Sequence, residues 1–565
     1  MHFGSKFVYV YDDSSSESED ELELFPSLPE NKHESRKIDS NVIKIDFKNL
    51  QQHCHISSSI PNKCETCCSI AMNVILTERQ WICKYCGTKN SLKSSDFQNP
   101  ADDITYYVDK FENRKEIAQR DSKLNSNDNS LICFCIDISS SMNRIIDLSR
   151  STVTRINALK EAVLQQVDYL LENKPNVRIS LITFDTKVFY HSPISNSFIS
   201  NIASKLNYSG ERRLIDKELY DDKEKIIRIG KNLSLPPAVK RSHQGIKRTI
   251  NNIFAFGQTA LGPALLLGVS SCSKFSGSKI ILCTDGIANI GMGSIENPAG
   301  ESVSPNGFYE YVGLYAKDNG VSVSLLTVGE KSGIPHLGGV VAATNGTVKV
   351  VDPIDLGGEF RKIIDDRLIA INMKLTLFLP KQFYIRNYGC LKNKSNSVQT
   401  FNIGNIAQNQ EYGIEFGIKE EVDRNSIGSE VDFQLVLNYS DRGGSRICRV
   451  FEKRLMTTKT REIAEEHSDL EVIAVNAMQQ ASRIQVFGQL HLARSRLFGQ
   501  ERFFNRQERW HSTEVSNTLS FAKQHVKQYL SELTVTKESQ RNPEVQSDES
   551  AAKMYRTLIF NKTML

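Results

Sequence analysis

The stretch SLICFCIDISSSMNR, residues 130–144, joins an uninterrupted apolar run to a short polar loop. Apolar runs without alternation are typical of strands that are buried on both faces of a parallel sheet. Asp137 ends the run, and Ser139 and Ser141 follow at alternate positions. Because parallel α/β sheets bind ligands beyond the carboxyl ends of their strands, this stretch predicts a site of oxygen donors at one sheet edge.

Strands and helices alternate from residue 131 to about residue 370. The segment 156–173 has apolar residues at helical spacing, and EFRKIIDDRLIAI (359–371) predicts a closing helix. Further buried strands are predicted by VRISLITFD (177–185), KIILCTDG (279–286) and VSVSLLTVG (321–329). This alternation predicts a doubly wound, mostly parallel α/β domain over residues 131–370.

The remaining chain divides into several further segments. Short alternating strands, including a hairpin across SDRGGS, predict an antiparallel β-sandwich or barrel over 372–458, and NVIKIDF within 41–60 is a candidate extra strand. Residues 461–535 predict an all-α domain, with one buried helix carrying an apolar stripe from Leu470 to Leu497 and a second helix over 514–533. We expect residues 1–40 to be a disordered acidic, serine-rich tail and residues 536–565 to be a polar tail.

Four cysteines in the segment 61–95 have the spacing of a metal site. Two C-x-x-C pairs, fifteen residues apart, can turn four thiolates toward one ion and close a tetrahedral structural zinc site. The ligands are then Cys64, Cys67, Cys83 and Cys86. Cys68 is either a spare thiol or a competing ligand, and a second site around Cys54 lacks ligands. A RING-type ligase would need eight metal ligands, and only four are well spaced.

Two further oxygen donors occur at positions equivalent to the serine loop. Thr259 precedes a helix in GQTALGPAL, and Asp285 ends the strand KIILCTDG. Two carboxylates and three hydroxyls form a hard oxygen set that suits Mg²⁺ or Mn²⁺. The predicted set is Asp137, Ser139, Ser141, Thr259 and Asp285. The alternative is that these oxygens are hydrogen-bonded turn residues that hold no metal.

Composition narrows the class of protein. The 565 residues carry a net charge of +4, and 39% are hydrophobic, which is ordinary for a globular chain. Lys and Arg are dispersed, so nucleic-acid binding is not expected. No apolar run reaches about 18 residues and no signal-peptide core is visible, so we expect a soluble intracellular protein without a transmembrane segment. Because no phosphate loop, nucleophile elbow or catalytic set appears, we expect no enzymatic activity.

The oxygen set and the cysteine module each resemble a known family. The D-x-S-x-S, later Thr and later Asp-Gly resemble the metal-ion-dependent adhesion site of von Willebrand factor A domains. The module with Trp81, Cys83, Cys86 and Asn90 resembles the zinc finger of the COPII inner-coat proteins. Those proteins continue with an A-type trunk, a β-barrel and a helical domain, and this sequence has the same order from about residue 40 to residue 535. The zinc-finger and A-domain part is also similar to slime-mould proteins that carry a circularly permuted Ras domain.

These resemblances imply a function by protein–protein contact. In A domains the metal takes an acidic residue from a partner, and coat proteins bind coat, cargo or small-GTPase partners on ER and vesicle membranes. The sequence departs from coat proteins because it lacks room for their gelsolin-like domain and because their trunks generally lack an intact oxygen set. Their catalytic arginine cannot be placed, so GTPase activation is not predicted.

We therefore expect a cytoplasmic scaffold in ER-to-Golgi vesicle transport, with peripheral membrane contact. The alternative is an A-domain adaptor that binds acidic peptides through Mg²⁺ in signalling or protein quality control. A subunit of a nuclear transcription or repair complex is disfavoured, because in such proteins the zinc finger typically follows the A domain. The basic segment 239–248 is either a lipid-headgroup site or, more simply, a solvated helix face.

Overall fold

The computed structural model describes most of the chain. The described residues are 1–10, 40–52, 55–57, 60–77, 80–92, 102–108, 130–148, 151–191, 212–215, 220–295, 305–329, 333–386, 396–408, 410–419, 421–486, 490–508, 516–539 and 548–559. They form a zinc-finger-like module, a doubly wound α/β domain, a two-sheet β-sandwich and a helical domain, which confirms the predicted fold class. The acidic run predicted to be disordered, residues 11–39, and Cys54 lie outside the described residues.

The first seven strands belong to the sandwich and the finger. They are β1 His2–Phe3, β2 Phe7–Tyr9, β3 Val42–Asp46, β4 Ile56–Ser57, β5 Gln80–Ile82, β6 Lys89–Ser91 and β7 Asp103–Tyr107. Strands β5 and β6 pair with each other in the finger, and the other five join the two sheets of the sandwich.

The α/β domain follows as an insertion between two strands of the sandwich. Its elements are β8 Leu131–Asp137, β9 Ile145–Leu148, β10 Ser151–Thr154, α1 Arg155–Asn173, β11 Arg178–Phe184, β12 Val188–His191, β13 Arg212–Ile215, α2 Lys223–Asn232, α3 Val239–Asn251, α4 Leu261–Cys272, β14 Lys279–Thr284, α5 Pro305–Asp318, β15 Ser322–Thr327, α6 Ile334–Ala343, β16 Val348–Val350 and α7 Leu356–Asp365.

The chain then returns to the sandwich and ends in helices. The remaining elements are β17 Leu368–Phe378, β18 Phe383–Arg386, β19 Val398–Ala407, β20 Glu411–Ile418, β21 Glu430–Ser440, β22 Arg446–Thr458, α8 Arg461–Glu466, α9 Leu470–Val486, α10 Leu490–Gln507, α11 Ser516–Ser539 and α12 Asp548–Ile559. Among the described helices, none combines the length and apolar character needed to cross a bilayer.

The sheet of the α/β domain has the order β13-β12-β11-β8-β14-β15-β16. Its five neighbouring strands β11, β8, β14, β15 and β16 run parallel. Alternate side chains of β8 enter opposite cores: Leu131, Cys133 and Cys135 pack with α2, α4, α5 and α6, while Ile132 and Phe134 pack with α1, α3 and α7. Because both faces are covered, every residue of β8 is buried, as its unbroken apolar run predicts. Ligands can reach this sheet only at its edges.

The closing helix is shorter than predicted. Helix α7 ends at Asp365, and Leu368–Ile371 already belongs to β17. The prediction of helix through residue 371 was wrong because Ala370 and Ile371 pair across strands, with Ile406 and Ser440 respectively. An apolar run of four residues does not distinguish helix from strand without such partners.

The sandwich encloses a core between two sheets. One sheet has the order β1-β3-β20-β18, and the other has the order β19-β17-β21-β22-β7-β4, with β2 parallel to β22. The prediction of a disordered tail from residue 1 was wrong for residues 1–10. Phe3 and Val8 bury their side chains in this core and the backbone pairs with β3 and β22, so these residues form strands. Strand β7 was not predicted.

The helical domain is fixed to the sandwich by buried polar contacts. Arg496 of α10 pairs with Glu415 of β20, and both side chains are almost completely buried. Asn476 of α9 donates to the same carboxylate. Helices α9 and α10 cover the described parts of the stripe predicted from Leu470 to Leu497, and residues 487–489 lie outside the described residues.

Helix α12 corrects the prediction of a polar tail over 536–565. Ala551, Ala552 and Tyr555 are buried in the core of the α/β domain, at the three- and four-residue spacing of one helix face. The Asp548 carboxylate accepts a hydrogen bond from the amide of Ile334, 3.1 Å away, at the start of α6. The Tyr555 ring of α12 covers Gly338 of α6. The last described helix is therefore part of the α/β domain's packing.

Gly338→Ala tests this packing. A Cβ at this position would lie 2.0 Å from Cδ2 of Tyr555, so α12 or α6 must shift. We expect faster hydrogen exchange in 548–559 and a local loss of about 1–3 kcal/mol, as for other overpacked sites. Gly339→Ala is the matched control, because nothing lies within 4 Å of its Cβ position. Equal exchange in the two variants would contradict the observed docking of α12.

Candidate functional site

The four predicted cysteines converge in the finger. The Sγ atoms of Cys64, Cys67, Cys83 and Cys86 all lie within 4.8 Å of one another. Among the described residues, this is the group of three or more His, Cys, Asp or Glu side chains that lie close enough to hold one metal ion. The Sγ–Sγ distances are 3.4 Å for Cys64–Cys86 and 3.5 Å for Cys67–Cys83. A tetrahedral zinc ion with Zn–S bonds of about 2.3 Å requires sulfur separations of roughly 3.8 Å, so the cluster fits zinc.

Each cysteine pair sits on a tight turn of the same geometry. The amide of Cys68 donates to the Cys64 carbonyl at 3.0 Å, and the amide of Gly87 donates to the Cys83 carbonyl at 2.8 Å. Cys68 and Gly87 both have left-handed backbone, with φ values of 64° and 75°. The exposed Cys68 therefore occupies a turn position equivalent to a glycine and does not join the cluster.

Polar groups around the sulfurs favour thiolates. The Ser69 hydroxyl lies 3.1 Å from Cys83 Sγ, and the Asn90 side-chain amide donates to Cys64 Sγ at 3.5 Å. The hydrogen bond from the Cys67 thiol, and after it the Ser69 hydroxyl and nearby backbone amides, lower the pKa of Cys83 to about 4, while the same hydrogen bond raises the pKa of Cys67. Such donors orient metal-bound thiolates and stabilise their charge.

The finger is anchored to the outer face of the larger sandwich sheet. Glu452 of β22 accepts hydrogen bonds of 3.0 Å from Asn73, Lys84 and Tyr85 of the finger. Gln434 of β21 exchanges two 2.8 Å hydrogen bonds with the backbone of Ile70. The finger thus has a fixed orientation on the sandwich, and its four cysteines would fill every position of a tetrahedral zinc ion.

The oxygen set lies at the carboxyl edge of the parallel sheet. Asp137 is the last residue of β8, and Asp285 follows β14, which pairs with β8. Ser139 precedes a short 3₁₀ turn over Ser140–Asn143. Because β8 and β14 are parallel neighbours, both carboxylates reach the same edge, as predicted.

Four of the five predicted residues form one continuous set of hydrogen bonds. The Ser139 amide donates to Asp137 Oδ1 at 2.8 Å, the Ser139 and Ser141 hydroxyls lie 3.0 Å apart, and the Ser141 hydroxyl donates to Asp285 Oδ1 at 2.6 Å. Adjacent ligands of an octahedral Mg²⁺ with bonds of about 2.1 Å are roughly 3 Å apart, so the two oxygen–oxygen separations, Ser139–Ser141 and Ser141–Asp285, suit that ion.

Thr259 is brought to the same edge by its own loop. The Thr259 amide donates to the side chain of Asn289 at 2.8 Å, and the Asn289 amide donates back to the Thr259 carbonyl at 3.2 Å. Two backbone hydrogen bonds, from Phe256 to Ile138 and from Ser140 to Gly257, join this loop to the serine loop. Thr259 itself is buried.

The electrostatics of the site are those of a buried, partly neutralised carboxylate pair. Burial raises the pKa of Asp137 to about 7, against hydrogen bonds from Thr284 and Ser139 that lower it. Asp285 Oδ2 accepts a hydrogen bond from Arg155 at 2.7 Å, while Oδ1 faces Ser141. A divalent cation would compensate for the burial of the Asp137 carboxylate, so the hard oxygen set fits Mg²⁺ or Mn²⁺. Arg155 already supplies one positive charge to Asp285.

Sequence reasoning missed three residues of this site. Thr284 donates to Asp137, Asn289 positions Thr259, and Arg155 pairs with Asp285. Arg155 opens α1 after the inserted β9–β10 hairpin, and its amide donates to the carbonyl of Arg144, which brings it beside the serine loop. A cation at a helix N-terminus is unfavourable because it opposes the helix dipole. An arginine at the start of a predicted helix was therefore the available signal that its side chain has a specific acidic partner.

Cys83→Ser tests the zinc assignment. With three thiolates left, the zinc content should fall from about one ion per chain and residues 60–92 should lose hydrogen-exchange protection, while the α/β domain keeps its own. Cys68→Ser is the control and should retain zinc, because Cys68 lies outside the cluster. Undiminished zinc in purified Cys83→Ser, measured by elemental analysis, would show that the assignment is wrong.

Comparison with known proteins gives two informative matches. No protein-family profile matches the chain. Circularly permutated Ras protein 1 of Dictyostelium discoideum is 23% identical over 487 residues, which covers 80% of this chain and 54% of that protein. The chain thus spans about half the length of this relative.

Among solved structures, the human COPII-coat protein Sec24c superposes with a TM-score of 0.61 at 12% identity, covering 90% of this chain and 70% of Sec24c. A von Willebrand factor type A protein from Catenulispora acidiphila has a TM-score of 0.45 at 18% identity, covering 72% and 82% of the two chains. The resemblances to the COPII inner-coat proteins and to the slime-mould Ras proteins are confirmed, and at 12% identity the Sec24c match shows that the chain shares the fold of that coat protein.

Proposed function

We propose that this chain is a non-enzymatic scaffold for protein–protein interactions that acts like a COPII inner-coat protein in ER-to-Golgi vesicle transport. The observation that carries the proposal is the order of finger, A-type domain, sandwich and helical domain, which follows the Sec24c fold over 90% of the chain. We include a cytoplasmic location with peripheral contact to ER or vesicle membranes. Because the Dictyostelium discoideum relative is named as a Ras protein, we include a Ras-like small GTPase as a candidate partner.

The arrangement of the two candidate metal sites supports a scaffold. In the finger, four cysteines would complete the coordination of zinc and leave no position for a substrate, so this metal would be structural. The finger also carries Trp81 and Tyr85 into a core shared with the larger sandwich sheet. Zinc would therefore hold the finger in the shape that the sandwich surface requires.

The oxygen site supports a ligand-binding role for the A-type domain. Asp137, Ser139, Ser141, Thr259 and Asp285 would hold Mg²⁺ or Mn²⁺, which supplies an electrophilic position for a carboxylate of a partner protein. Arg155 orients Asp285 by binding its outer oxygen, so that the inner oxygen faces the serines. The partner is thus proposed to present an acidic residue.

A second candidate function is favoured by the same oxygen set. The chain would then be an adaptor that binds acidic peptides through Mg²⁺ in signalling or protein quality control, unrelated to coats. Both proposals use the same site and differ in the partner. In either case we propose that the chain has no catalytic activity, since the sequence carries no phosphate loop and no nucleophile elbow.

Magnesium should stabilise the wild-type α/β domain. Ligand binding to the native state contributes about 2.7 kcal/mol at a hundred times Kd, so the melting temperature should rise with Mg²⁺. Asp137→Ala removes a ligand carboxylate and should abolish this rise and the calorimetric heat of Mg²⁺ binding. Asp318→Ala, an exposed carboxylate at the end of α5, should behave as wild type. Equal heats in Asp137→Ala and wild type would exclude the site.

Arg155→Gln should tighten Mg²⁺ binding about tenfold, because a positive charge beside the metal position is removed. Arg155→Lys keeps the charge and should stay closer to the wild-type affinity. Weaker binding by Arg155→Gln, measured by the same calorimetry, would show that orientation of Asp285 outweighs charge repulsion.

Proximity labelling distinguishes the two functions. The full chain, fused to a biotin ligase and expressed in its own cells, should enrich coat components and small GTPases over the ligase alone. The Cys83→Ser fusion tests whether the finger is needed, and the Asp137→Ala fusion tests whether the oxygen site is needed. Enrichment of nuclear or proteasomal proteins without coat components would overturn the proposed transport function.

A further inference from the structure

Two exposed phenylalanines stand beside the oxygen site. Phe254 and Phe256 are 76% and 60% exposed, and they lie on the loop that leads from α3 to Thr259. A single exposed aromatic residue is common on protein surfaces, but a neighbouring pair next to a ligand site is the kind of apolar patch that marks recognition. Ile145, which follows the serine loop on its other side, is 66% exposed.

The aromatic pair is held rigidly against the serine loop. The Asn143 side chain donates to the Ala255 carbonyl at 2.7 Å, the Phe256 amide donates to the Ile138 carbonyl at 2.9 Å, and the Ser140 amide donates to the Gly257 carbonyl at 3.1 Å. Gly257 has a φ of +82°, and a Cβ there would lie 2.6 Å from Thr186 Oγ1. Both rings are thus displayed by a fixed backbone, which lowers the entropy cost of binding through them.

The charges around the pair select a negatively charged partner. The Lys160 ammonium lies 5.3 Å from the centre of the Phe254 ring, and Arg144 is exposed between the serine loop and Ile145. Arg155 pairs with Asp285, whose other oxygen faces Ser141 of the serine loop. An apolar surface rimmed by cations complements a segment that combines a carboxylate with apolar side chains.

We propose that Phe254 and Phe256 form an apolar subsite of the oxygen site, and that its partner is a peptide segment with an aromatic or large aliphatic residue next to an Asp or Glu. The inference rests on the proposed metal-dependent capture of a carboxylate and adds the residue that accompanies that carboxylate. The oxygen site would fix the acidic residue, and the phenylalanines would bury its neighbour.

A membrane surface is the competing occupant for exposed aromatic residues beside lysine and arginine. The peptide is favoured because the oxygen set beside the pair, with a metal bound, would take one carboxylate at one fixed position, which an acidic side chain next to an apolar one can supply. The Phe256 amide also donates to the carbonyl of Ile138, the residue that follows Asp137.

Fluorescent Gly/Ser peptides that contain Asp-Phe, Asp-Ser, Asn-Phe or Asn-Ser at their centre test the proposal on the full chain with Mg²⁺ present. Wild type should bind the Asp-Phe peptide about tenfold or more tightly than the Asp-Ser peptide. The Phe254→Ala/Phe256→Ala variant should lose that ratio and keep its preference for Asp over Asn. Ile75→Ala, an 88% exposed apolar residue of the finger, is the control and should keep both preferences.

The outcomes separate this inference from the proposed function. A preference for Asp over Asn without a preference for Phe overturns the subsite and leaves metal-dependent capture intact. Loss of both preferences in wild type overturns both proposals. Binding to vesicles of anionic phospholipid that is abolished by Phe254→Ala/Phe256→Ala, together with no Phe preference among the peptides, would assign the pair to a membrane. Melting temperatures check that the variant folds, since both side chains are mostly exposed.

Discussion

The parallel pairing of β8 with β14 is the constraint on which the candidate ligand site depends. Cys135 and Ile136 stand opposite Leu282 and Cys283, so the strands end together and Asp137 and Asp285 leave the sheet at one edge. This register is fixed by two cores, one on each face, and a slip would exchange the side chains between them. The hydrogen bonds among the serines and carboxylates are therefore consequences of a sheet that is specified elsewhere, by apolar packing.

The sandwich plays the corresponding role for the rest of the molecule. Its outer face carries the finger through Glu452 and Gln434, and its smaller sheet carries the helical domain through Glu415. Each junction places a buried polar side chain opposite several donors, which fixes orientation better than apolar contact alone. A scaffold whose parts keep their mutual positions can present binding surfaces at fixed distances, which is the property that the proposed function requires.

The features that could be predicted from the sequence are those with local signals. Paired cysteines, the apolar run ending at Asp137 and the alternating strands of the hairpin β21–β22 each specify structure over a few residues. Strands β1, β2 and β7 were missed because short strands acquire their identity from partners far along the chain. Helix α12 was missed because its apolar face is short, and Arg155 because its role depends on Asp285, 130 residues away. Each of these features depends on contacts with residues far along the chain, and a single sequence does not reveal such contacts.

The insertion of the α/β domain between β7 and β17 has a consequence for how the chain assembles. Asp103 of β7 meets Arg449 of β22, 346 residues later, and closing so long a loop in an unfolded chain is entropically costly and slow. The inserted domain has its own sheet and cores, and once most of it has folded its two ends become neighbours, so the loop is effectively shortened. During synthesis from the N-terminus, β7 would have only the two-residue strand β4 beside it until β22 emerges. The exposed edge of β7 in that interval is a place where a chaperone, or a misfolded partner, could reach the chain first.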